Sequence, residues 1–409
     1  LHRAVASLLG EIVTMSIIKQ IVSRRVWDSR GNPTVEADIY LDNGMLGRGI
    51  APAGASRGLR EAIDMRDAGQ RLRGMDVKQA LANIDNIISP ALIGRDVSDQ
   101  SLIDDIILDL DPSPLKEYLG GNATISVSLA ALHAAAAAAS KPLWQHIADY
   151  YGRNPSIPLP EIQIFGGGAH ASRRVDIQDF MIMVPGANTF DEVMEITSEV
   201  YFAAGSIMEE RGRLAGIADE GGWWPLFDSN EEALETLVAA IERAGEKPGE
   251  RVTISLDIAA SEFWKNGKYR LALEDRDMDT EALIDMLAGW LDAYPIVSIE
   301  DPVAEDDQEG MKEFTRRFGD EVQIIGDDYL VTKTELVREA IESGACNSVL
   351  VKVNQVGTVT EAVNALLAAE EAGWQGVVSA RSGETEDVTI SHLATGLGSG
   401  QLKVGSFNR

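Results

Sequence analysis

Eight short apolar segments recur through the last 250 or so residues of the chain, and nothing else in the sequence limits its fold as tightly. They are EIQIF, DFMIMV, RVTISLDIA, PIVSIED, VQIIGDD, SVLVKVNQ, GVVSARS and QLKVGSF. Amphipathic stretches such as EEALETLVAAIERAG, TEALIDMLAGWLDAY, KTELVREAIESG and VTEAVNALLAAEEAG lie between most of them. Strands that alternate with helices predict a closed, TIM-like β/α barrel. A doubly wound sheet is the rival, but Gly166-Gly167-Gly168 does not continue into the phosphate-binding spacing that such a sheet carries after its first strand. Upstream, residues 17–51 alternate apolar and polar positions around turns at DSRGNP and Asp42-Asn43-Gly44, which predicts three antiparallel strands. From about Arg57 to Ser140 the period becomes helical, in REAIDMRD, VKQALANIDNIISPAL, QSLIDDIILDL and the alanine-rich VSLAALHAAAAAAS. The organisation expected is an N-terminal extension over 1–14, an α+β cap domain over 15–145 and the barrel over 146–409.

Charge narrows the partners. The 36 Lys and Arg against 65 Asp and Glu leave 36 − 65 = −29, a field that repels nucleic-acid phosphates and anionic lipid and favours cations. No nucleic acid and no membrane partner is therefore expected. The longest apolar run, Val127 to Ala139, is interrupted and too short for a span of about 20 residues. The first 14 residues are a poor match to a signal peptide, since Glu11 breaks the apolar run, and Met15 reads as a natural start. One cysteine, Cys346, cannot form an internal disulfide, so a reducing, cytoplasmic setting is expected. Cys346 reads as a small buried side chain, His133 as a packed or capped one, and the acids of EEALE and EDDQE as solvated helix faces.

In a barrel the C-terminal ends of the strands converge on one mouth. Asp257, Glu300 and Asp327 end three successive strand segments, and Lys352, Arg381 and Lys403 fall at the next three, with gaps of 43, 27, 25, 29 and 22 residues. Each gap is close to one β/α unit. Three carboxylates at one mouth repel one another unless a cation lies among them, and an all-oxygen set suits Mg²⁺. Lys352, in an apolar strand, reads either as the partner of one of these acids or as a base whose pKa a metal and neighbouring cations lower. Arg381 and Ser382 supply a fork and a hydroxyl suited to an oxyanion.

The motifs DSRGNPTVEADIYLDNG, PAGASRG, NATISVSLAALHAAAAAAS, ADEGGWWP, SLDIAASEF, SIEDP, GDDYLVT, VKVNQVGTVTEA and SARSGETED closely resemble those of the enolase family, in the family's order, from about Ile17 to Lys403. The resemblance implies an α+β N-terminal cap on a modified β/α barrel. It further implies two Mg²⁺, the first held by Asp257, Glu300 and Asp327 and the second by Ser56 with the substrate phosphate. Lys352 matches the base that removes a proton α to a carboxylate, and Lys403 matches a cation on that carboxylate. Glu220 matches the general acid, and Asp179 stands where a glutamate supports it. Arg381 and Ser382 match phosphate contacts, and His170 matches a loop histidine near the substrate. A homodimer or larger homo-oligomer is also implied.

Several mouth positions depart from the family pattern. Ala380 stands in place of a histidine beside the leaving group, and Ala53 and Arg57 replace a serine and a threonine of the substrate loop. Trp223-Trp224 are bulkier than the usual residues, and Arg409 precedes the family's usual C-terminal helix. The half that would form the double bond is intact, whereas the half facing the leaving group is altered. Three functions follow: dehydration of 2-phosphoglycerate to phosphoenolpyruvate, the same chemistry on another phosphorylated or phosphonylated 2-hydroxy acid, or a non-catalytic scaffold.

Overall fold

The structure is a computed structural model, and it describes residues 16–55 and 57–408. The proposed extension over 1–14, Met15, Ser56 and Arg409 lie outside the described residues.

Strands β1 (Ile18–Trp27), β2 (Pro33–Leu41) and β3 (Leu46–Ile50) form the expected antiparallel meander. Helices α1 (Lys78–Asn83), α2 (Ser89–Leu92), α3 (Gln100–Leu110), α4 (Gly121–Ala138) and α5 (Leu143–Tyr151) follow. A single π turn over Ile84–Ile88 joins α1 to α2 ahead of Pro90. Helix α4 is buried on nearly all sides, and its alanines let it lie directly on β3. A Cβ at Gly49 would come 2.4 Å from Ser126 O, and one at Gly47 would come 2.2 Å from Ala130 O. Among the described residues no single helix is long and apolar enough to cross a membrane.

REAIDMRD is not the helix its period predicts. The backbone N–H of Ala62 bonds Gln355 O and that of Ile63 bonds Leu115 O, both at 2.7 Å, in place of i→i−4 partners. Arg66 reaches Pro33 O and Met75 O, and Glu61 is spent on Arg381. Tertiary partners override the local preference.

All eight apolar segments become barrel strands. They are β4 (Leu159–Gly166), β5 (Asp179–Met183), then, beyond helix α6 (Phe190–Glu210), the hairpin β6 (Leu214–Ile217) and β7 (Trp223–Pro225), and helix α7 (Asn230–Arg243), β8 (Thr253–Asp257). A small sheet of β9 (Trp264–Lys265), β10 (Lys268–Leu271) and β11 (Arg276–Met278) precedes α8 (Thr280–Ala293). Then come β12 (Ile296–Glu300), α9 (Gln308–Phe318), β13 (Gln323–Gly326), α10 (Thr334–Ser343) and β14 (Ser348–Val351). The last units are α11 (Val353–Val356), α12 (Val359–Glu371), β15 (Gln375–Ser379), α13 (Thr389–Leu397) and β16 (Gly400–Lys403). The order β4-β5-β8-β12-β13-β14-β15-β16 closes through β16 on β4. Side-chain caps start the helices: Thr189, Ser229 and Thr358 each accept from the N–H of the glutamate three residues on, the spacing of a capping box.

Strand β5 runs antiparallel to both neighbours, a departure from eight like β/α units. Its cause is local: the connection from β4 is a loop with one short turn of 3₁₀ helix at Gly168–Ala171, and a parallel return needs a crossover helix. The hairpin of β6 and β7 is likewise additional. The EDDQE segment is solvated at Asp306, Gln308 and Glu309, but Asp307 caps α9 and accepts from Tyr269 Oη, and Glu305 accepts from Leu59 N. His133 bonds Thr389 Oγ1 at 2.7 Å and Cys346 is buried, as expected.

The contact between β3 and α4 gives a first test. Gly49→Ala puts a methyl into backbone that cannot yield, so urea unfolding should show a loss of about 1–3 kcal/mol, whereas Gly44→Ala, with nothing within 4 Å but φ +86, should cost about 1 kcal/mol.

Candidate active site

The mouth is assembled by register. Glu300 pairs with Asp257 across β12 and β8, and Asp327 follows the end of β13. Asp179 also pairs with Asp257, because the reversed strand β5 begins where its neighbours end. Lys352 follows β14, Arg381 lies two residues beyond β15, and Lys403 ends β16. All of these side chains are buried.

Two ammonium groups lie among the acids. Lys403 Nζ is 2.8 Å from Asp257 Oδ2, 2.8 Å from Glu300 Oε2 and 3.5 Å from Asp179 Oδ2. Burial opposes its charge, yet Asp257 and Glu300 hold its pKa well above the ordinary lysine value. Lys352 Nζ pairs with Asp327 Oδ2, and Gln355 Nε2 donates to the other oxygen at 2.8 Å. Burial again works against the ammonium, but Asp327 outweighs it and raises the Lys352 pKa. Of the two readings of Lys352, the pairing with an acid is the one seen here, with Asp327 as its counter-ion, and the lowered pKa of the other is not. Burial and the Asp257 charge push Glu300 well above the usual carboxylate range.

The residues fit a hard cation. The donors are all oxygen, and Glu300 Oε1 is a buried carboxylate oxygen without a hydrogen-bond partner, a costly state unless something positive takes it up. Asp257, Glu300 and Asp327 would hold such an ion. Among the described residues, the trios whose ligating atoms lie within 4.8 Å of one another are His170, Asp179 and Glu220, and Asp301, Asp327 and Asp328; Asp257, Glu300 and Asp327 are not such a trio, and their oxygens pair with Lys403 and Lys352. Asp301 has a structural duty, accepting from the N–H groups of Asp327 and Asp328 at 2.9 and 2.7 Å. Ser56 lies outside the described residues.

Across the mouth, His170 is held between two acids. Its Nδ1 lies 3.1 Å from Asp179 Oδ1 and its Nε2 3.3 Å from Glu220 Oε1. Burial disfavours the imidazolium, but Glu220 and Asp179 win and raise its pKa to about 9. Gln163 Nε2 donates to Asp179 and, at 3.3 Å, to Glu220 Oε2, while its Oε1 accepts from Gly222 N at 2.9 Å. Burial lifts the Glu220 pKa above the usual value, with His170 opposing. A narrow cavity opens here, lined by Gly54, His170, Glu220, Lys352, Ala380 and Lys403 among others. Trp223 is not a mouth residue: it stacks on Tyr201 at 4.6 Å and its indole N–H bonds Tyr201 O.

Arg381 and Ser382 line the same cavity. The Arg381 guanidinium is held by Glu61 at 3.0 and 3.2 Å and by Asn354 Oδ1 at 2.9 Å. Sequence reasoning missed Glu61, Gln163, Gln178 and Glu161. Gln178 donates to Asp257 at 3.0 Å, one residue before Asp179. Glu161, fully buried, bonds Ser255 and pairs in register with Lys403; an acid inside an apolar strand was a signal open to notice. Glu61 offered none, its partner lying 320 residues away.

What the arrangement can do is proton transfer on an anionic molecule, with a base and an acid facing one cavity and a carboxylate cluster ready for a cation. Models of two known families match the chain: "Enolase, N-terminal domain" over residues 18–147 and "Enolase, C-terminal TIM barrel domain" over 154–409. A two-domain match of this extent, on a fold and a mouth of this kind, makes the chain a member of the enolase family and, in general terms, an enolase-like lyase.

Proposed function

We propose that the chain is a Mg²⁺-dependent hydro-lyase that converts 2-phosphoglycerate, or a close analogue, to the corresponding enol phosphate. The observation that carries this reading is Lys352 and Glu220 facing one cavity, with Asp327 beside Lys352 and with Asp257 and Glu300 beside Lys403. Bound Mg²⁺ would stabilise the negative charge that the substrate carboxylate gathers as the adjacent C–H bond breaks; a lysine base working with divalent metal is the established pattern of the enolase superfamily. Lys403 holds the substrate carboxylate, and Arg381 with Ser382 holds the phosphate. Lys352, once Asp327 is engaged elsewhere and its ammonium has lost a proton, takes the proton from the α carbon. The electron pair left behind forms the double bond, the C–O bond to the leaving hydroxyl breaks, and Glu220 supplies the proton that makes it water. His170 and Asp179 keep Glu220 in place. The same reading takes the protein to be cytoplasmic and a homodimer or larger homo-oligomer.

A second reading is favoured by one observation. Arg57 lines a small neighbouring cavity that shares Gly54 with the main one, so a further acidic group on a phosphonylated 2-hydroxy acid would meet a cation there. Ala380, with no polar group to assist the leaving hydroxyl, fits that reading as well.

Two outcomes are expected. Lys352→Ala should lower the rate of phosphoenolpyruvate formation about 10²- to 10⁴-fold, with the loss in kcat and not in KM. Ala380→His should raise kcat on 2-phosphoglycerate at least about tenfold; a fall in that rate, joined to turnover of a phosphonate by the unaltered chain, favours the second reading. A wild-type chain that forms no phosphoenolpyruvate at saturating Mg²⁺ overturns the first reading, and one that also turns over no phosphonylated 2-hydroxy acid and exchanges no α proton of either substrate with deuterated solvent overturns both.

A further inference from the structure

The turn DSRGN, between β1 and β2, carries a buried cation that the mechanism above does not use. Asp28 organises the turn, its Oδ1 accepting from the N–H of Arg30 at 2.9 Å and of Asn32 at 2.8 Å. The Arg30 side chain, 12% exposed, leaves its own sheet and enters the barrel mouth. Its Nη1 donates to Ser382 Oγ at 3.2 Å, and its Nη2 donates to Ala53 O at 2.9 Å and Gly54 O at 3.4 Å. Asp28 Oδ2 balances the charge at 3.4 Å. Arg30 Nε is buried without a partner, so the group is not placed there to satisfy all its own donors.

The loops that Arg30 bridges already touch. Ala53 and Gly383 exchange two backbone hydrogen bonds of 2.9 Å. A Cβ at Gly383 would lie 2.5 Å from Asp28 Oδ2, 2.6 Å from Arg30 Nη2 and 2.7 Å from Ala53 O; only glycine leaves room for the guanidinium. Ser29 N bonds Glu384 O at 2.8 Å, seating the turn on the same loop.

The chemistry of the donor sets the direction of the Ser382 hydroxyl. Arginine has no acceptor, so Ser382 Oγ accepts from Arg30 and its own hydrogen is released for another partner. Ser382 makes no other side-chain hydrogen bond among the described residues, and it lines the cavity.

We propose that Arg30 is a positioning residue for anion binding: it turns the Ser382 hydroxyl into a donor toward the cavity, so that the cap domain completes the anion site of the barrel. The proposal rests on the reading of Arg381 and Ser382 as the phosphate contacts. Its reach is wider than one substrate, because any phosphate or phosphonate group at that place meets the same donor.

Binding of inorganic phosphate, measured by isothermal titration calorimetry with excess Mg²⁺, separates the two claims. In the unaltered chain phosphate binds. Arg30→Met weakens it about tenfold, the worth of one hydrogen bond to a charged group, and Ser382→Ala weakens it similarly. The double variant is no weaker than Ser382→Ala alone, because the arginine acts through that hydroxyl. Arg30→Lys, which keeps the charge but cannot bridge both loops, gives the same non-additivity and serves if the methionine variant does not fold. Equal affinity in unaltered and Arg30 chains, or a further tenfold loss on the Ser382→Ala background, overturns the positioning role and leaves the phosphate reading standing. No phosphate binding in the unaltered chain overturns both.

Discussion

Burying like charges together is the constraint around which this molecule is arranged. Asp179, Glu220, Asp257, Glu300 and Asp327 converge in one mouth, where among the described residues Lys352, Lys403, His170 and Arg381 are positioned to answer them. Isolated, each carboxylate would cost several kcal/mol to bury. The lysines meet part of that cost, and Glu300, with one oxygen unpartnered, carries the remainder. Under the proposed function a divalent cation would take the place of an ammonium here, and a lysine released from its acid would be free to act as a base.

The barrel supplies that convergence through two irregularities. One reversed strand delivers the first residue of β5, Asp179, to a mouth where the other strands deliver their last. The cap domain then reaches in with Glu61, which holds Arg381, and Arg30, which holds Ser382. The cap is thus part of the site and not a separate module. The close seating of α4 on β3 and of the DSRGN turn on Gly383 is what a few missing side chains allow.

The barrel strands were legible because each is a short apolar run, and so were the three acids and three cations at or just beyond the ends of six of them. The reversal of β5 was not, since alternation within a buried strand carries no sign of direction. REAIDMRD misled because amphipathic period records a tendency, while its N–H groups find partners in α11 and in the loop before α4. Pairs such as Arg381 with Glu61 or Arg30 with Ser382 bind residues more than 300 positions apart, and no local pattern encodes them. The motifs that carry the family resemblance contain Arg30 and Gly383 without disclosing that the two must fit each other.

The central claim is that the acid cluster is built for a divalent cation. The direct measurement is Mg²⁺ binding by calorimetry, without substrate, in the unaltered chain and in Glu300→Gln and Asp327→Asn. The account predicts saturable binding that both substitutions weaken by at least about tenfold. Mg²⁺ that fails to bind, or binds equally to all three proteins, would contradict it.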